Sequence, residues 1–145
     1  MIDRYPHTVD LFDMEPIRRL CPVPSQLHRW ARFRDGIRTD VSVELSAGLR
    51  DYFVCIEDLL LDSRQGNRVA FSVTPRGEIT GLVFSKIEYV GETKVVSNDG
   101  VVIPGCTPSE RRQATEQITH ALKGLEDVEA VQNCGFFAPP PTGPI

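Results

Sequence analysis

Three observations predict an α+β fold. Apolar and polar residues alternate through the middle of the chain, turn residues punctuate that alternation, and one strongly capped amphipathic helix follows it. The expected architecture is an antiparallel β-meander over about 68–103, joined by a strand at 37–45 and a short last strand at 127–132. Helices at about 26–34, 46–61 and 108–123 are expected to cover one face. With 145 residues, 41% of them hydrophobic, the chain reads as a single domain able to bury a core without staples.

Each element has a local reason. Residues 1–24 form an extended, proline-containing N-terminal segment with one turn of helix. Pro16 suits the first helical position, Asp13 and Glu15 sit at its positive end, and the turn runs through Leu20. Ser25 is placed to cap a helix ending at Asp35-Gly36, with Leu27, Trp30, Ala31 and Phe33 on its inner side. From Ile37 to Leu45 the sequence alternates: Val41, Val43 and Leu45 fall on one side, and Asp40, Ser42 and Glu44 on the other. Leu49, Tyr52, Phe53, Ile56, Leu59 and Leu60 then make a helical stripe. The same stretch holds Tyr52-Phe-Val-Cys-Ile56, which has the composition of a central strand; the length of the stripe favours helix.

Residues 62–67 read as a loop, and Val69, Phe71 and Val73 as one side of a strand. Pro75-Arg76-Gly77 is a turn into a long strand at 78–90, and Gly91-Glu92 turns into 93–97. Asn98-Asp99-Gly100 reads as a further tight turn. The C-terminal helix is the best defined element. Thr107 and Glu110 have capping-box spacing, and Pro108 falls at the first helical position. Ala114, Ile118, Ala121, Leu122 and Leu125 make one face. The proline-rich tail, 133–145, is expected to be extended.

Composition narrows function mainly by exclusion. A net charge of −4 does not suggest a general polyanion binder. No apolar run approaches the roughly 20 residues of a membrane span, and the first residues lack a secretory pattern, so a cytoplasmic protein with no membrane partner is expected. Cys21, Cys55, Cys106 and Cys134 match no zinc spacing, and no metal or cofactor is expected. Motifs for phosphate loops, dinucleotide binding, nucleophile elbows and zinc proteases are missing.

Two groups of residues carry chemistry. Cys106 stands just before the capped helix, where amide N–H groups and the helix dipole favour a thiolate, making it the candidate for a small cysteine-dependent enzyme. His120 lies about 20 Å further along that helix and cannot serve as its base. Arg29, Trp30, Arg32, Arg34 and Arg38 interleave cations with an aromatic ring. This pattern suits a nucleic-acid backbone or an acidic protein partner. Buried aromatics with solvated arginines are the plain structural reading. The Arg4-Tyr-Pro-His-Thr-Val-Asp-Leu-Phe12 segment resembles the first strand of small phage head–tail joining proteins, although the C-terminal helix departs from their all-β pattern. The function expected first is a non-catalytic interaction role: an inhibitor, an adaptor, or a subunit of a larger assembly of phage or mobile-element type. It would bind a protein partner or a second copy of itself. Nucleic-acid binding is the alternative, and Cys106 catalysis the second alternative.

Overall fold

The computed structural model describes residues 11–125 apart from 47, 49 and 104, with the backbone alone over 98–103. Helix α1 (Glu15–Leu20) leads into six strands: β1 (His28–Arg34), β2 (Ile37–Leu45), β3 (Tyr52–Leu60), β4 (Gln65–Val73), β5 (Ile79–Val90) and β6 (Thr93–Ile103). Helix α2 (Pro108–Gly124) follows. The strands form one antiparallel sheet in chain order, a simple meander.

Two expected helices are strands. Of the residues expected as helix 26–34, His28–Arg34 form β1, and Asp35-Gly36 is a two-residue hairpin turn rather than a helix stop. Both residues have positive φ, 55° and 76°, as a type I′ turn requires, and Arg34 pairs with Ile37 across it. The stretch expected as helix 46–61 contains β3, which lies between β2 and β4 in the sheet. Alternation explains the deceptive stripe. Tyr52, Val54 and Ile56 are buried on one face, while Phe53, Cys55 and Leu59 fall on the other. A central strand that is apolar on both faces imitates a helical face over three turns.

Smaller differences have similar causes. Strand β4 starts at Gln65, so the expected 62–67 loop shrinks to 61–64. The Asn98-Asp99-Gly100 segment stays inside β6. Ser85 pairs with Asn98 and Val83 with Val101, leaving an extra residue on β6 that makes a bulge instead of a turn. The Thr107–Glu110 capping box is present in both directions, at 3.2 and 2.8 Å. The expected last strand 127–132 and the tail 133–145 lie outside the described residues.

One hydrophobic cluster joins the elements. Val41, Val43, Val54, Ile56, Phe71, Val73 and Leu82 of the sheet share it with Ala114, Ile118 and Leu122 of α2, and with Phe12, Met14, Ile17 and Leu20 from the N-terminal side. Phe12 meets Phe71 edge-on, with ring centres 6.5 Å apart. Gly77 (φ 107°) allows the Phe12 main chain to lie against the β4–β5 turn, where a Cβ would stand 2.3 Å from the Phe12 carbonyl oxygen. Arg18 donates to the Pro75 carbonyl at 2.9 Å and fixes the same contact.

Candidate functional site

The Arg/Trp segment is divided by its strand. Alternation sends Trp30, Arg32 and Arg34 to the core-side face of β1, and Arg29 and Phe33 to the opposite face. Trp30 is half-buried, and its indole donates to the Leu20 carbonyl at 3.0 Å, at the end of α1. Arg32 donates to the Gly124 carbonyl at 2.9 Å, and Arg19 reaches the Leu125 carbonyl at 3.4 Å. These guanidinium groups meet the orphan carbonyls and the negative dipole end of α2, a structural use of the charge. Arg38 binds Asp40 at 2.9 Å, and its guanidinium carbon lies 5.2 Å from the centre of the Phe33 ring. Arg29 and Arg34 are exposed. The five residues therefore do not form a single surface.

Cys106 is half-buried and rests against the hydrophobic cluster. The first amides of α2 are engaged by its own cap: Thr107 Oγ1 accepts from the Glu110 amide, and the Thr107 carbonyl accepts from the Arg111 amide. Burial pushes the Cys55 thiol up, with Glu57 adding to the rise and Arg68 and Lys94 opposing it. Burial likewise raises Cys21, with Glu44 adding to it. Both thiols stay protonated near neutrality. Among the described residues, no group of three or more His, Cys, Asp or Glu side chains could hold a metal ion. No described helix is long and apolar enough to cross a membrane.

A different surface collects at the end of the sheet where three hairpins turn. Phe33, Leu60, Leu61, Val90 and Val95 each expose between 40% and 62% of their surface there. By register Leu60 and Val95 fall on one face, three strand spacings or about 14 Å apart, with Gln65 and Glu88 between them. Phe33 occupies the opposite face, and Leu61 the turn. Two cross-turn hydrogen bonds hold this rim. The Leu61 amide donates to the Gly36 carbonyl at 2.9 Å, and the Tyr89 amide to the Arg64 carbonyl at 3.1 Å. Arg64 also lays its guanidinium 4.9 Å from the Tyr89 ring centre. The three turns carry Asp35, Asp62 and Glu92, balanced by exposed Arg34, Arg64 and Lys94 in or beside them.

The sequence signal for this rim lies in apolar residues that abut turn residues, Leu59-Leu-Leu61-Asp62-Ser63 and Val90-Gly91. A helix over 46–61 would put Leu60 on a buried stripe, which masks the pattern. Searches with family models, among curated proteins and among solved structures each found no match. Residues 4–10 of the phage-like segment lie outside the described residues, and Leu11 and Phe12 belong to neither helix nor strand.

Proposed function

We propose that this protein is a non-catalytic binding module that engages another protein through the hairpin end of its sheet, with its helices sealing one face as scaffold. The observation that carries this reading is the rim of Phe33, Leu60, Leu61, Val90 and Val95, which keeps large apolar side chains in water on turns held together by backbone hydrogen bonds. Large apolar side chains gathered at one end of a small domain, even with polar residues between them, have a cost in solubility that a docking role would offset. A surface held in place before contact loses little entropy on association.

The nucleic-acid alternative draws less support, because the indole it needs for base stacking donates to Leu20 and two of its arginines serve Gly124 and Asp40. The test compares two double variants by affinity capture and quantitative mass spectrometry. Leu60→Glu with Val90→Glu is expected to lose the captured protein at an unchanged melting temperature, and Arg29→Glu with Arg34→Glu to keep it. The reverse result would transfer the function to β1. Loss of the protein from neither variant would refute both surfaces.

A further inference from the structure

A groove of about 570 Å³ opens between α2 and strands β3–β5, one row of residues in from the rim. Its floor is Ile56, Val69, Phe84, Ile118 and Ala121, and its polar side chains are Asp58, Asn67 and Gln117. Ile56 and Ile118 are buried, and the volume lies within the roughly 300–1,000 Å³ of small-molecule sites. Arg68 and Ser85 border it through their main chain. Alternation turns both side chains to the opposite face, where Arg68 Nε lies 3.7 Å from Glu57 Oε2. That leaves Asp58 as the charged side chain of the lining. The hydroxyl of buried Thr39 donates to Asp58 Oδ1 at 2.7 Å, which orients the carboxylate and leaves Oδ2 for a ligand.

We propose that this groove binds a small organic ammonium ion with an apolar body, the cation meeting Asp58 and the body lying over the half-buried Val69, Phe84 and Ala121. An anchored carboxylate at one side of a groove whose apolar wall lies two strands away is the chemistry that selects such cations over neutral or anionic isosteres. Lys86, exposed on the same face opposite Asn67 in register, lies outside the lining and opposes the preference. The site is separate from the rim and stands whether or not the rim binds protein.

The test uses the full chain and three probes of one shape: phenethylammonium, 2-phenylethanol and phenylacetate. Methyl resonances of Ile56, Val69 and Ile118 report binding. Phenethylammonium is expected to bind about threefold to fivefold more tightly than the alcohol, in keeping with one partly exposed ion pair, and phenylacetate more weakly than either. Asp58→Asn keeps an acceptor for Thr39 and should abolish the preference for the cation, leaving phenylacetate, which Lys86 attracts, at least as tightly bound as the other two, at an unchanged melting temperature. Lys86→Ala should widen the preference for the cation, and Ala121→Trp should abolish binding of all three. Equal affinity of the wild type for the three probes would overturn the proposal. So would a cation preference that survives Asp58→Asn, or the absence of saturable shifts at those methyls.

Discussion

The two ends of the sheet use the same kind of side chain in opposite ways. Toward the β4–β5 turn, Val43, Val73 and Ile79 are at most 1% exposed, in the cluster that holds Ile118 and Leu122. At the other end, Leu60 and Val90 are at least half exposed. Hydropathy does not separate these groups; what lies over them does. Apolar residues at the first end contribute to folding, whereas those at the second add little to it and remain available for contact.

The hairpin end is open in its side chains but tight in its backbone, and the largest expected effect tests that distinction. A Cβ at Gly66 would stand 1.8 Å from the Asp58 carbonyl oxygen and 2.9 Å from the Leu59 Cα, both main-chain atoms that cannot swing aside. Gly66→Ala should therefore cost about 4 kcal/mol in urea unfolding. A loss below about 1 kcal/mol would mean that this end is loose and its rim not preorganised. Next in size, Ile118→Ala at the covered end should cost about 3 kcal/mol, whereas Leu60→Ala should change stability by less than about 0.5 kcal/mol. Equal losses would erase the contrast between the two ends. Last, Thr107→Ala removes a cap that lies in neither region and should cost about 1 kcal/mol by thermal or urea unfolding.

What the sequence disclosed depended on how local its rules were. The start of the C-terminal helix was readable to the residue because cap and first-turn proline act within a few positions of Thr107, whereas its end runs past the expected 123 to include Gly124, with Leu125 as the C-cap. The α1 turn and strands β2, β4 and β5 followed from proline placement and simple alternation. Strands β1 and β3 were hidden because their identity is set by neighbours far along the chain. Nine consecutive residues of β3 pair with β2 and nine with β4, and that pairing overrides a helical stripe. Asp35-Gly36 was ambiguous locally, since a glycine with positive φ ends helices as well as closing hairpins. The candidate site was the least readable part. Arg29, Trp30, Arg32, Arg34 and Arg38 look like one patch in sequence, but a period of two divides them between faces. The rim and the groove assemble residues from three or more strands, a juxtaposition that appears only once the register is known.

The seat of Phe12 against Gly77 ties the leading segment to a single hairpin. The pocket for this ring consists of Phe71 on β4 and the bend that joins β4 to β5, and neither half of that seat exists until the two strands have zipped together. The leading segment is thus clasped by one hairpin, and whatever opens the β4–β5 pairing also takes away its seat.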